Sequence, residues 1–304
     1  MNKIKVGIIG TGNCAKSLVE GVQYYTENPN DITGMMKSDI GGYKAESIEF
    51  VCGFEIDERK VNQTLGYALK QRPNSAWDIV DVIHSEAPVY EAPVIDGYAA
   101  LMDNYPEQNR FLVDEYLRNT TDINRTNWTS KKAREWKDQI IAKLKDHGVE
   151  VLINYLPVGS QKTTEFWAEI CLETGISLVN CIPVFIASDP AWEQRFIDAG
   201  IPLIGDDMRS QFGASILSQM LQELAFERGH HVKAHIQRNV GGNTDFLNME
   251  DKSRLASKKI SKENVIRAQN EIRGISTEDS FLHAGPSEYI AFYGDNKVAN
   301  FRLE

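Results

Sequence analysis

Apolar and polar positions along this chain group into short runs that predict strands and helices in turn. Residues 4–9, IKVGII, are mostly apolar and bounded by Gly10, which reads as a buried strand. After the turn Gly10-Thr11-Gly12, residues 15–25 carry Leu18, Val22 and Tyr25 at helical spacing. A second strand is expected over 48–56, then a helix with Val61, Leu65, Ala68 and Leu69 on one face. Residues 130–147 return to helix, with Trp136, Ile140 and Leu144 in register. Short apolar runs at 151–156, 178–182 and 203–204 read as strands, separated by helical segments at 161–175 and 189–199. Strands alternating with helices build a parallel sheet. The expected fold is therefore α/β, with a Rossmann-type doubly wound parallel sheet over residues 1–205. Two insertions interrupt it, at about 26–47 and 72–130. The second, with Pro73, Pro88, Pro93 and Pro106, is long for a compact domain and suggests function or partner contact.

The pattern changes near residue 206, and a second, α+β domain is expected over 206–304. A helix over 211–228 has Ile216, Leu217, Met220, Leu221 and Leu224 as its apolar stripe, read as core. Residues 232–239 alternate like a strand, and 288–304 read as a hairpin about Gly294-Asp295-Asn296.

Composition adds exclusions. A net charge of −10 over 304 residues argues against a general nucleic-acid or membrane-surface role. No apolar run is long enough to span a bilayer. Met1 leads straight into a strand, so no signal peptide is expected, and the chain reads as cytoplasmic. The four cysteines (Cys14, Cys52, Cys171, Cys181) lack metal-ligand spacing and read as reduced core residues. The six histidines form no ligand pattern, so no metal is expected.

The candidate chemistry starts at the first turn. Gly10 suits a tight turn, Gly12 lets backbone N–H groups approach a pyrophosphate, and Ala15 allows helix and strand to pack closely. Asn13 and Cys14 open the helix, whose N-terminus offers unpaired N–H groups and partial positive charge to phosphates. This pattern points to a dinucleotide, although the same turn could also close a sheet and hold nothing. Glu55 and Asp57 end the second strand, where a dinucleotide fold places an acid for ribose hydroxyls. They lie more than twice the usual distance of about 20 residues from the glycines, and capping a helix is an equal alternative. Pro157, Val158, Gly159 and Ser160, then Ser188 and Asp189, then Asp206 and Asp207 follow three further strands. Ligands bind parallel sheets at these carboxyl ends, so all should face one crevice with the glycines. Asp206 and Asp207 could instead cap the helix beyond them. Lys258 and Lys262 are four apart on one helix face, able to clamp a phosphate or stabilise an oxyanion, or simply solvated.

The motifs GTGNCAKSLVEGV (10–22), YLPVGS (155–160), PVFIASDPAW (183–192), GDD (205–207), RSQ (209–211), NVGGNTDFLNM (239–249), SKKISK (257–262), GPSEY (285–289) and GDNKVA (294–299) carry a resemblance. In content and order the chain resembles the myo-inositol-1-phosphate synthase family, of the shorter prokaryotic type. The resemblance implies conversion of D-glucose 6-phosphate to myo-inositol 3-phosphate, with NAD as a regenerated cofactor. It implies that Lys258 and Lys297 flank the oxygen at carbon 5, and that Lys262 steadies the phosphate or moves a proton. Asn239, Asn243 and Asp245 would line the sugar, Ser210 and Gln211 would sit near the phosphate, and Asp207 between nicotinamide and lysines. The residues alone also allow a turn at Asn239–Asp245 and an exposed edge lysine at Lys297. The family is usually tetrameric, so a homo-oligomer is expected. Family members continue beyond Arg302-Leu303-Glu304 with further sheet and another active-site lysine. Reuse of one fold for different chemistry leaves a second reading, a sugar-phosphate dehydrogenase on the same scaffold; the C-terminal difference keeps a third in view, a shortened homologue without activity that binds nucleotide or pairs with a full-length partner.

Overall fold

The computed structural model describes residues 3–119, 130–255, 267–268, 270–272, 274 and 281–304. Six parallel strands form the larger sheet: β1 (Ile4–Ile9), β2 (Ile48–Glu55), β3 (Val89–Glu91), β4 (Val151–Asn154), β5 (Ser177–Asn180) and β6 (Leu203–Ile204). Their order is β3-β2-β1-β4-β5-β6. The winding direction reverses between β1 and β4, which opens a crevice beyond their carboxyl ends. The doubly wound sheet expected from the alternation is the one observed.

Helices α1 (Asn13–Glu27), α2 (Leu65–Lys70), α3 (Glu115–Arg118), α4 (Lys131–His147), α5 (Gln161–Thr174) and α6 (Pro190–Ala199) belong to this part of the chain. Successive side chains of a strand point to opposite faces, so Ile8 and Ile9 enter different cores. Ile8 packs with Ala15, Val19, Leu65 and Leu69. Ile9 packs with Phe54, Leu152, Phe166 and Trp167 on the other face. Ala15 is fully buried in the first cluster, where a larger side chain would hold α1 off the sheet. Helix ends follow local chemistry. Ser130 and Asp189 cap α4 and α6, which close on Gly148 and Gly200 with left-handed φ of 63° and 67°. The three-residue strand β3 was not foreseen, since prolines at 88 and 93 frame it too closely for a periodic signal.

Beyond β6 come α7 (Ala214–Glu227), β7 (Ala234–Gly241), α8 (Thr244–Asn248), β8 (Phe281–Tyr289) and β9 (Lys297–Leu303). Two expectations are corrected. Strands β8 and β9 do not pair as a hairpin. Both flank β7, β8 parallel to it and β9 antiparallel. The turn at 294–296 therefore joins strands separated by a third. Helix α7 also faces the other way. It buries Ala214, Ser218 and Gln222, while Met220 and Leu224 of its apolar stripe are 62% and 59% exposed. The reason is the polar side chains His235 and Gln237 of β7, which are buried and bond to Ser218 and Gln222. Buried polar groups need partners, and α7 supplies them only by turning its polar side inward.

Candidate active site

A cavity of about 660 Å³ lies at the carboxyl ends of the parallel strands, between the larger sheet and the turns of the smaller one. Gly10, Gly12, Asn13 and Cys14 form one wall. The Gly10 amide donates to Phe54 O at 2.9 Å, and its φ of +85° is one that side chains resist. A Cβ on Gly10 would stand 2.9 Å from Tyr155 O. A Cβ on Gly12 would meet nothing within 4 Å, and no side chain caps α1 above it. An open approach to an uncapped helix N-terminus fits a dinucleotide diphosphate.

Groups beneath the turn hold its shape. Asn13 Oδ1 accepts from the amides of Ser75 and Ala76 at 2.8 and 3.0 Å. Buried Lys60 donates to Thr11 O and Asn74 Oδ1, both at 2.9 Å. Glu55 borders the cavity, but its oxygens accept from Thr11 N and Oγ1 and from Ile56 N, at 3.0, 2.7 and 2.8 Å. Burial pushes the Glu55 carboxyl up. The Lys60 ammonium and these hydrogen bonds outweigh that and hold it below the usual carboxylate range. Asp57 is fully buried and accepts from Arg59 N and Nε at 3.0 and 2.8 Å and from Leu112 N at 3.2 Å. The structure thus engages both acids with the protein's own donors.

The other strand ends divide. Pro157 and Val158 line the cavity, as do Tyr155 and Cys181. Gly159 and Ser160 stand behind them, with Gly159 at φ +86° and Ser160 Oγ donating to Pro157 O at 2.6 Å. This turn is clamped by residues distant in sequence. Arg254 Nε and Asn248 Nδ2 both donate to Val158 O, at 3.0 and 2.8 Å. Ser188, Asp189 and Asp206 do not border the cavity, which corrects their expected place. Asp189 accepts from the amides of Ala191 and Trp192 at 2.8 and 3.2 Å. Asp206 accepts from Ile186 N, Ala187 N, Ser188 N and Asn180 Nδ2 at 3.0, 3.1, 3.0 and 2.7 Å. These acids hold the loop before α6. The adjacent Asp207 does line the cavity, at φ +60°, with its amide bonded to Ile182 O.

Ser210, Asn243 and Asp245 complete the far wall; Gln211 is exposed and outside it. Asn243 caps α8, accepting from the amides of Asp245 and Phe246 at 3.0 and 3.2 Å. Asn239 does not border the cavity; it is 4% exposed and accepts from Gln237 Nε2 at 3.1 Å. Lys297 opens β9 opposite Gly241. Lys258 and Lys262 lie outside the described residues. Asp295 emerges as a cavity residue that the sequence reading took only for a turn. Its Oδ1 accepts from Asn13 Nδ2 at 3.2 Å and from Asn243 Nδ2 at 2.7 Å. One carboxylate oxygen therefore ties the glycine turn to the second half of the chain. Its place beside Lys297 in the GDNK motif was the available signal.

The cysteines separate too. Cys52 and Cys171 are buried, and burial pushes the Cys52 thiol up to about 12. Cys14 is exposed, which corrects the reading of all four as core. No described helix is long and apolar enough to cross a membrane.

A doubly wound sheet with a glycine turn at its switch point, and a cavity shared with the turns of a second sheet, define a Rossmann-type α/β enzyme. Residues 213–304 match the family model described as myo-inositol-1-phosphate synthase. The inositol-3-phosphate synthase of Mycolicibacterium smegmatis is 37% identical over 99% of this chain and 77% of its own length. That of Corynebacterium glutamicum is 39% identical, again over 99% and 77%. A solved myo-inositol-1-phosphate synthase-related protein from Thermotoga maritima shares the fold, with a TM-score of 0.75 at 21% identity over 99% of this chain and 78% of that one. The chain belongs to the myo-inositol-1-phosphate synthase family, and is an enzyme of the inositol-3-phosphate synthase type.

Proposed function

We propose that this chain converts D-glucose 6-phosphate to 1D-myo-inositol 3-phosphate in one cavity, with NAD held across the glycine turn. The observation that carries this reading is the union, in that cavity, of the uncapped α1 N-terminus with Asp207, Ser210, Asn243 and Asp245. When bound, NAD would supply the hydride acceptor for carbon 5 of the sugar and, once reduced, the donor for its return. Gly12 and the first amides of α1 hold the diphosphate, and Tyr155, Pro157 and Val158 wall the cofactor's side. Ser188, Asp189 and Asp206 act at one remove, by fixing the loop before α6. The substrate phosphate falls to Ser210, with Gln211 at its edge. Asn239, Asn243 and Asp245 hold sugar hydroxyls.

Between the two hydride transfers a base in the site takes a proton from carbon 6, carbon 6 bonds to the carbonyl carbon 1, and the carbon 1 oxygen takes up a proton from the acid so formed. Each step puts negative charge on an oxygen, which nearby cations stabilise. Lys258, Lys262 and Lys297 take that role, supported by the family pattern and, for Lys297, by its place two residues after the cavity residue Asp295. Asp207 lines the cavity, and the family pattern sets it between nicotinamide and those lysines. The outward stripe of α7 and exposed Phe212, 77% exposed, support a homo-oligomer, with a tetramer as the family form. Four free cysteines suit a reducing, cytoplasmic setting.

The test is incubation with glucose 6-phosphate and NAD, following phosphorus NMR and NADH absorbance together. Inositol phosphate without net NADH supports the reading. Stoichiometric NADH makes the protein a dehydrogenase. No change in either signal, with NAD still bound, makes it a nucleotide-binding homologue.

A further inference from the structure

A line of buried polar side chains runs between α7 and β7 toward Asn239. Asn270, Gln222, His235, Ser218, Gln237 and Asn239 are each no more than 4% exposed. They are joined in sequence. Gln222 meets Asn270 at 3.0 Å and His235 Nδ1 at 2.9 Å. Ser218 Oγ meets His235 Nε2 at 3.0 Å and Gln237 Oε1 at 2.8 Å. Gln237 Nε2 donates to Asn239 Oδ1 at 3.1 Å. A polar row this deep is tolerated only if its donors and acceptors match along its length.

The matching sets its direction. With the Gln237 amide placed as it is, oxygen toward Ser218 and nitrogen toward Asn239, the one Ser218 proton goes to Gln237 Oε1 and the Ser218 oxygen accepts from His235 Nε2–H. If Gln222 shows its oxygen to the ring, Nδ1 must carry a proton as well and the ring is a cation. Burial disfavours that charge, and none of the partners of His235 in the row is an anion. In that orientation, in which Gln222 Nε2 donates to Asn270 Oδ1, Asn270 Nδ2 is also buried with no partner. Turning both amides over, which the near-equal shape of their two ends allows, leaves the ring neutral and gives Asn270 Nδ2 a partner, with the less demanding Asn270 carbonyl in the unpartnered place. Asn270 Nδ2 then donates to Gln222 Oε1, and Gln222 Nε2 donates to His235 Nδ1. Every bond now points toward Asn239.

We propose that His235, neutral and protonated on Nε2, is a positioning residue that acts through Ser218 and Gln237 to lock the Asn239 amide. Asn239 Oδ1 is held inward as an acceptor, and Nδ2 is left as a donor for the substrate. The proposal rests on the reading that Asn239 lines the sugar. A hydroxyl pairs with either end of an amide, but a carbonyl or developing oxyanion accepts only from a donor. The lock therefore favours the steps in which a sugar oxygen has lost its proton.

Two measurements test it. Nitrogen-15 NMR of the labelled full chain at pH 7 should show the His235 ring neutral with its proton on Nε2. A ring protonated on Nδ1, or on both nitrogens, overturns the proposal whatever the activity. Ser218→Ala removes the link between ring and Gln237, and should lower kcat by roughly tenfold or more with little change in NAD affinity. Ser218→Thr keeps the hydroxyl and should restore kcat. Full kcat in Ser218→Ala, with only a lower Tm, overturns the positioning role. If the wild-type chain forms no inositol phosphate, the functional reading fails, and the ring tautomer still decides whether the row is directed as described.

Discussion

Alanine at Gly10 and alanine at Gly12 should have opposite effects, although the two glycines stand two residues apart. At Gly10 the backbone φ of +85° costs an L-residue about 1–2 kcal/mol. The new Cβ would also stand 2.9 Å from Tyr155 O. That carbonyl belongs to a segment tied to β1 by the Tyr155 N–H bond to Ile9 O at 2.8 Å, so it cannot move alone. Forced repacking of this kind adds about 1–3 kcal/mol, for a total of about 2–5 kcal/mol. At Gly12 the backbone sits at φ −85° and ψ −162°, and the Cβ meets nothing. Alanine at this cap position should cost about 1 kcal/mol at most. Its methyl, however, occupies the approach of a diphosphate to the α1 amides. Each charge-assisted hydrogen bond lost there is worth about 1.5–3 kcal/mol, so NAD affinity should fall at least about tenfold. Thermal unfolding with and without NAD measures both effects. Wild type should be stabilised by NAD, by about 2.7 kcal/mol at one hundred times Kd. Gly12→Ala should melt near wild type without NAD and gain little from it, while Gly10→Ala should melt well below. A Gly12→Ala chain that gains as much from NAD as wild type would refute the placement of the diphosphate.

Asp295→Ala removes an acceptor shared by Asn13 and Asn243, and should weaken NAD binding severalfold while lowering stability by about 1–3 kcal/mol. A double-mutant cycle with Asn13→Ala checks this, since strict additivity would mean that the bridge carries no coupling. Glu55 titrates below its ordinary value of 4.5 in the folded chain, so its contribution to stability is complete above that pH and drains away as pH falls through the lower folded value. Glu55→Gln should be less stable at pH 7 but have a flatter acid limb in a pH series of denaturant midpoints; an unchanged acid limb would count against this linkage. Cys14 should be alkylated in the native protein and shielded by NAD, whereas Cys52 and Cys171 should react only after unfolding. Peptide mapping by mass spectrometry reads all three sites, and modification of Cys52 in the folded chain would contradict its burial.

Much was legible in the chain wherever the signal was local. The apolar run of β1, the glycines after it and the helical face of α1 are consecutive, and their spacing alone orders a strand, a tight turn and a helix. The alternation of such units set the sheet as parallel and doubly wound. The family motifs gave the order of Asn243, Asp245, Asp295 and Lys297 along the chain, but not which of them would meet.

Tertiary structure decided whatever depends on pairing between distant side chains. The polarity of α7 shows this most directly. Its apolar stripe predicts an inward face, yet Ser218 and Gln222 turn inward because His235 and Gln237 are buried opposite them. Strand β7 takes the centre of the small sheet, so β9 cannot pair with β8 despite the turn between them. Asp206 and Asp207 are neighbours in sequence, and only three dimensions separate the one that braces a loop from the one that faces the cavity. Local periodicity determines which elements form, because backbone geometry repeats over a few residues. Which face each element shows, and which carboxylates remain for a ligand, depends on matching every buried donor to an acceptor across the fold.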